Sequence, residues 1–331
     1  MRQPTGTAPP HLGQSDSVPD LAWSIVLAAA RDAERLAQAG QRAAFTATAN
    51  NGLRAVATDA PDTLIAWRPG SGWEVPLPAD DPRRAFLDLY LPLCSATTLR
   101  PTTVGHLGQS LDGFIATHAG ESQWITGSEN VLHLHRLRAL CDAVVVGAGT
   151  VAADDPQLTT RLVRGPSPLR VILDPMRRLS EHYRVFQDDA AETLYVCGRS
   201  FPRPDKRQFG RARVAVVADT TEGIDIAELV GLLRGRGCTR IFVEGGGVTV
   251  STFLEANLID RLHLAVAPLL IGDGRPAIRL RSRAALGDCP RPRYRVFRMG
   301  GDMLFDFDLR SGSDDGADRQ LDSQPAVTRV I

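Results

Sequence analysis

Apolar residues recur at two spacings along this chain. Beyond Thr102, short runs rich in Val, Ile and Leu alternate with longer stretches whose apolar residues fall every three or four positions, as strands and helices alternate in an α/β sheet. Strands are expected over 103–107, 143–146, 170–174, 193–197, 213–217, 240–244 and 262–268. Two more, 294–298 and 303–307, flank Met299-Gly300-Gly301-Asp302 and predict a closing hairpin. Helices are expected over 129–140, 225–235 and 248–257. Upstream, residues 20–98 carry an amphipathic helix running from Leu21 through Arg35, strands in TLIAW and WEVPL joined by Arg68-Pro69-Gly70-Ser71-Gly72, and a helix over 83–93. That predicts a small α+β add-on without a chemical signature, ahead of a larger domain over 99–310. Residues 1–19 and 311–331 are expected to be disordered.

Composition narrows the classes. The chain has 331 residues, 43% of them apolar, enough to fill a proper core. Lys plus Arg equals Asp plus Glu at 38 each, so no charge excess gathers nucleic acid. The five cysteines lie tens of residues apart without a C-x-x-C pair, which predicts that most are buried thiols in a reducing cytoplasm and that none forms a metal site. LAWSIVLAAA, the start of the first helix, follows Asp16 and Asp20 where a signal peptide needs positive charge, and it is too short to span a bilayer. Neither a membrane nor a nucleic acid is expected as a partner.

Two glycine turns carry candidate chemistry. In the first, Gly147-Ala148-Gly149-Thr150-Val151-Ala152 fits G-x-G-x-x-G/A after a β-branched run. A Rossmann turn leads straight into a long helix, whereas Pro156 allows at most about one turn here, and the position 20 residues beyond Gly149 is Leu169 rather than an acid. An ordinary Rossmann unit is therefore rejected. In the second, the strand ending at Glu244 meets Gly245-Gly246-Gly247 and a helix beginning near Val248. Free amides at that helix start, approached without a Cβ in the way, suit an anion.

Both turns belong to an ordered series. It comprises Ser110-x-Asp112-Gly113, Gly120-x-Ser122-x-Trp124-Ile125-Thr126, His135-x-x-Arg138-Ala139, the run from Gly147 through Thr150, Asp154, Pro156, Leu158 and Thr159 to Arg161, Glu244-Gly245-Gly246, and VAPLLIGDG. With these motifs the chain resembles, from about Val104 to Phe307, the reductase family of riboflavin biosynthesis. The resemblance implies a dihydrofolate-reductase-like fold: a mixed, mostly parallel sheet with flanking helices. It implies NADPH-dependent reduction of a phosphoribosylamino-pyrimidine, the ribose opening as hydride reaches C1′ to leave a ribityl group, and a homodimer. Another pyrimidine or pterin-like substrate in secondary metabolism, or a nucleotide-binding sensor without catalysis, are the competing readings. The zinc pattern of the deaminase partner domain is absent from 20–98, so no deaminase activity is expected.

By the same resemblance Gly108, Trp124, Thr150, Asp154, Gly246, Gly247, Val248 and Thr249 meet the cofactor, and Ser122, Arg138, Leu158, Arg161 and Glu244 meet the substrate, with His106 a further candidate substrate contact where the chain departs from the family. Arg177 and Arg178 lie where a 2′-phosphate would be met. Capped by Thr126 or Ser128, the third helix turns Arg138 to the side of Val131 and Leu134 and Arg136 away. An inward arginine takes either the sugar phosphate, shared with Arg161, or a core carboxylate. Glu244 and Asp154 are the candidate proton-holding groups, Glu244 through partial desolvation opposed by the nearby helix start. Trp124 alternatively packs as a core aromatic, and Asp154-Asp155-Pro156 alternatively forms a plain turn. The family commonly has lysine where this chain has His106, which is either an ordinary strand histidine or a retuned substrate contact.

Overall fold

The computed structural model describes residues 18–48, 52–200, 207–221 and 223–310. Disorder expected for 1–17 and 311–331 lies outside these residues; at 18 and 19 a helix has already begun. The chain divides into two compact units, Met1–Leu99 and Arg100–Ile331.

The first unit contains α1 (Val18–Ala39), strands β1 (Ala43–Ala47), β2 (Leu53–Val56), β3 (Ile65–Arg68) and β4 (Gly72–Glu74), and α2 (Arg84–Cys94). The strands form an antiparallel sheet in the order β2-β1-β3-β4. Buried Ala22, Ile25, Ala29, Ala33 and Leu36 recur at three and four residues along α1, and the Trp73 indole N–H donates to the Ala29 carbonyl at 3.2 Å. Strands β1 and β2 were not expected, because their small and polar residues carry little apolar alternation. WEVPL yields only β4, since Pro76 has no N–H to give a neighbouring strand.

The second unit runs β5 (Thr102–Ser110), β6 (Phe114–Thr117), α3 (Ser128–Leu140), β7 (Ala143–Gly147), α4 (Ala148–Asp154), β8 (Leu169–Leu173), α5 (Arg184–Gln187), β9 (Thr193–Gly198), β10 (Gln208–Phe209) and β11 (Ala212–Val217). It continues with β12 (Asp219–Thr220), β13 (Gly223–Ile224), α6 (Ile226–Gly235), β14 (Arg240–Glu244), α7 (Gly247–Glu255), β15 (Arg261–Ala267), β16 (Gly274–Pro276), β17 (Arg293–Met299) and β18 (Asp302–Asp308). Ten strands make one mixed sheet, β10-β11-β9-β8-β7-β14-β5-β15-β18-β17. The seven from β11 to β15 are parallel, and β10, β18 and β17 run antiparallel to their neighbours.

Central strands read as continuous apolar runs because both sheet faces are covered. On one face Leu107, Val145, Ile241, Val243 and Leu262 pack with Leu229, Leu233, Val250 and Phe253 of α6 and α7. Strand alternation sends Glu244, His106, His263 and Asp306 to the other face, where α3 lies. Helix α4 spans seven residues, longer than the single turn expected, and stops at Asp155 in a left-handed conformation (φ 39°) just before Pro156.

Candidate active site

The carboxyl ends of parallel strands β5, β7 and β14 open into a cleft of about 1140 Å³. In open α/β sheets, crevices form where strands end and their chains depart in different directions. Strand β14 delivers Glu244 to the floor, and Gly245 and Gly246 turn the chain into α7 with φ of 60° and 66°. Gly246 is the N-cap of α7, and a Cβ on it would lie 2.9 Å from Thr150 Oγ1. The two glycine turns are therefore in contact, which is what a shared ligand site requires. Gly247 is fixed for another reason: a Cβ there would run into the Ala277 carbonyl beside β16.

Most residues expected at a cofactor site line this cleft: Gly108, Thr150, Asp154, Gly246, Gly247, Val248 and Thr249. Trp124 does not; its side chain is 86% exposed and its φ is 69°, a left-handed backbone that a bulky residue seldom adopts. A core-aromatic role is excluded by that exposure. Arg178 lines the far end of the cleft, whereas the Arg177 guanidinium sits 5.9 Å from the ring centres of Tyr195 and Phe209. Asp154 is exposed at the mouth, where surrounding protein raises its carboxyl above the ordinary range and the Arg275 charge opposes that rise.

Of the residues expected at the substrate, Ser122, Glu244 and His106 line the cleft, and Arg138, Leu158 and Arg161 do not. Arg138 resolves the choice left open by its inward direction. Its Nε donates to Glu244 Oε2 at 2.7 Å, its Nη2 donates to Glu244 Oε1, and its Nη1 donates to the Thr159 carbonyl at 3.2 Å. Burial alone would lower the guanidinium; the Glu244 carboxylate overrides it and holds the group above its ordinary value. In place of an open phosphate clamp, the helix thus supplies Glu244 with a fixed counter-ion. Arg161 donates to Thr159 Oγ1 at 2.8 Å and lies close enough to Arg138 and Arg184 that burial and their charges lower it. Leu158 is buried with φ 56° and shapes the loop that carries Thr159.

The expected cap and inward stripe of α3 need correction. Gly127 is the N-cap, because the Thr126 hydroxyl accepts from Asn130 Nδ2 at 2.9 Å and the Gly127 N–H donates to Asp302 at 2.7 Å. Val131 is exposed, and the residues turned to the sheet are Asn130, His133, Leu137 and Arg138. Asn130, His133 and Arg138 thus interrupt the apolar stripe that helical spacing alone predicts, with Leu137 the one apolar residue among these four. Two arginines on the cleft wall, Arg275 and Arg279, were not expected, although Arg275 directly follows the IGDG motif.

His106 Nε2 lies 2.9 Å from Asn130 Oδ1. Burial, with His263 beside it, pushes the His106 imidazole down to about 4, against the opposing pull of Asn130 and Glu244. It is uncharged at neutral pH, unlike a lysine at that position. Among the described residues no group of His, Cys, Asp and Glu is arranged to hold a metal ion, and no helix is long and apolar enough to cross a membrane.

Fold and cleft together define the class: an α/β protein with a dihydrofolate-reductase-like sheet and a large crevice at the carboxyl ends of its parallel strands. The chain belongs to the RibD C-terminal domain family, whose profile matches residues 101–286. Over 218 residues it is 34% identical to the 2,5-diamino-6-ribosylamino-4(3H)-pyrimidinone 5′-phosphate reductase of Methanothermobacter thermautotrophicus, covering 64% of this chain and all of that protein. It is 37% identical over 164 residues to the riboflavin biosynthesis protein RibD of Bacillus amyloliquefaciens, covering 49% of this chain and 44% of that one. Among solved structures, a deaminase/5-amino-6-(5-phosphoribosylamino)uracil reductase from Thermotoga maritima superposes with a TM-score of 0.54 at 27% identity, over 68% of this chain and 59% of that one.

Proposed function

We propose that this chain is a reductase of riboflavin biosynthesis, converting the ribosyl group of a diaminopyrimidine 5′-phosphate to a ribityl group with NADPH as reductant. The observation that carries the reading is the contact between Thr150 and Gly246 on the floor of a single cleft, in a chain that aligns with the whole length of a pyrimidinone phosphate reductase. The residues present fit a dinucleotide: the amides opening α7 and the Gly246 cradle suit its pyrophosphate, and Arg178 suits a 2′-phosphate. When bound, that cofactor supplies hydride.

The chain's own residues do the rest. Ser122, Glu244 and His106 offer hydroxyl, carboxylate and imidazole contacts to the pyrimidine and sugar, and Arg138 locks Glu244 in one orientation. Arg161 does not line the cleft itself, but, crowded by Arg138 and Arg184, it would be relieved by a phosphate placed beside it. Asp154, its carboxyl raised by surrounding protein, holds a proton more readily than an ordinary aspartate and is the acid at the cleft mouth. The reading includes a cytoplasmic homodimer, to which β17 offers an open sheet edge with Tyr294 exposed.

Titration with NADPH and with NADH tests the first half, with Trp124, the one exposed indole of four, as a fluorescent reporter. Adding the ribosylaminopyrimidine phosphate and following the reduced-nicotinamide absorbance tests the second. Tight NADPH binding with substrate-dependent oxidation is expected. Binding without oxidation would make the chain a nucleotide-binding sensor, and no binding would remove both readings.

A further inference from the structure

The interface between α3 and the sheet breaks the rule that such layers are apolar. Strand register aligns Glu244 of β14 with His106 of β5, His106 with His263 of β15, His263 with Asp306 of β18, and Asp306 with Arg295 of β17. Ionisable side chains thus form one row across five adjacent strands, on the face that α3 covers. Helix α3 answers it residue by residue: Arg138 to Glu244, Asn130 to His106, and His133 to His263. His106, His133, His263 and Asp306 are each no more than 2% exposed. Burying such groups where leucines would serve costs stability, and departures of this kind from the packing rule concentrate where a site needs them.

Contacts along the row are specific. His133 Nε2 lies 3.0 Å from His263 Nδ1, with the two rings stacked at 5.1 Å, and His263 Nε2 lies 3.3 Å from Asp306 Oδ1 without hydrogen-bond geometry. Arg261 and Arg295 hold Asp306 from its other sides at 2.6 and 2.7 Å. The His133 ring meets the His106 ring at 5.4 Å between centres. Of these three buried histidines only His106 lines the cleft, together with Asn130 and Glu244. Asn130 donates through Nδ2 to Thr126, so its Oδ1 accepts from His106, which places the ring proton on Nε2.

We propose that Asn130 and His133 are positioning residues for the cleft that act through His106: Asn130 fixes the tautomer of its ring by accepting from Nε2, and His133, packed against that ring and backed by His263 and Asp306, fixes its orientation, so that Nδ1 is presented as a hydrogen-bond acceptor to an amino or hydroxyl group of the substrate. The substrate part rests on the reductase reading above. The groups facing His106 are Glu244 from β14, His263 from β15, and Asn130 and His133 from α3. Of these Glu244 favours a charged ring and His263 disfavours it, while burial disfavours it most.

Long-range proton–nitrogen correlation NMR of the full chain, with ¹⁵N-labelled histidine, reads the tautomer and titration of His106 directly. The wild-type ring should stay neutral with its proton on Nε2 from about pH 5.5 to 8. In Asn130→Leu, which removes the acceptor, it should populate both tautomers, and kcat should fall about tenfold or more with NADPH affinity unchanged. The same substitution made in a His106→Gln background should cost little more than His106→Gln alone. Asn130→Ala, which adds no bulk beside His106, is the second variant should the first fail to fold. An unaltered His106 tautomer in both variants would overturn the proposal. So would a His106 Nδ1 resonance that does not move when substrate binds a chain that oxidises NADPH. A chain with the expected NMR behaviour and no turnover sinks the reductase reading instead, leaving the array's hold on His106 standing.

Discussion

Arg138 and Glu244 show how one pair of side chains links the helix layer to the cleft floor. Both are buried, so each charge depends on the other, and removal of one partner strands the remaining charge in a poorly solvated place. Glu244→Gln is therefore expected to destabilise the protein by about 3–5 kcal/mol, and Arg138→Met by a similar amount. The double variant should cost clearly less than their sum, since no unpaired charge survives in it. Urea unfolding of the four proteins measures this, and strictly additive costs would show that the pair is not coupled. The inward direction of Arg138 could be read from its place on a helical turn; its partner could not, because Glu244 lies 106 residues further along the chain.

At the scale of elements, the amino end of α7 and the turn after β7 must fit against each other for a dinucleotide to lie across both. Gly246 holds a left-handed φ of 66°, costing about 1–2 kcal/mol in any residue with a Cβ, and that Cβ would press on Thr150 Oγ1. Gly246→Ala should lower NADPH affinity by about tenfold or more, with Thr150→Ala recovering part of the loss in the double variant by removing the steric component. Calorimetric titration decides it, and full affinity in Gly246→Ala would separate the turn from the cofactor. Strand and helix succession in this unit was legible because buried parallel strands announce themselves as apolar runs. The short pairs β6–β16 and β12–β13 were not, since a few residues carry too little periodicity, and α3 was misjudged where its buried face turned out polar. Cleft residues named by motif, such as Thr150, Gly246 and Glu244, do converge, and Arg275 could have been found beside the IGDG motif, but Asp306, behind the cleft, has no local signature and depends on register between distant strands.

For the molecule as a whole, the buried histidines set the response to acid. His106 and His135 fall to about 4 and His133 also falls, each through burial first, so all three are neutral in the fold and protonate more easily once unfolded. As pH drops from the unfolded value near 6.5 toward 4, the unfolded chain binds more protons and stability declines, with His106 alone contributing roughly 3 kcal/mol over the full range. Asp306, held well below the ordinary carboxylate range by His263 and Arg261 despite burial, adds its loss only below about pH 4. Urea midpoints at pH 7.5 and pH 5 should therefore differ markedly, and His106→Gln should narrow the gap; equal midpoints would contradict neutral burial.

In the proposed reaction the cleft joining Thr150 to Gly246 holds NADPH against the C1′ carbon of a ribosylaminopyrimidine phosphate. A single turnover with NADPH carrying deuterium at both C4 positions, followed by mass and NMR analysis of the product, tests it most directly. One deuterium at C1′ of a ribityl product, for each NADPH oxidised, is the predicted result. Label found anywhere else, or a ribosyl substrate recovered unchanged beside unspent cofactor, would contradict it.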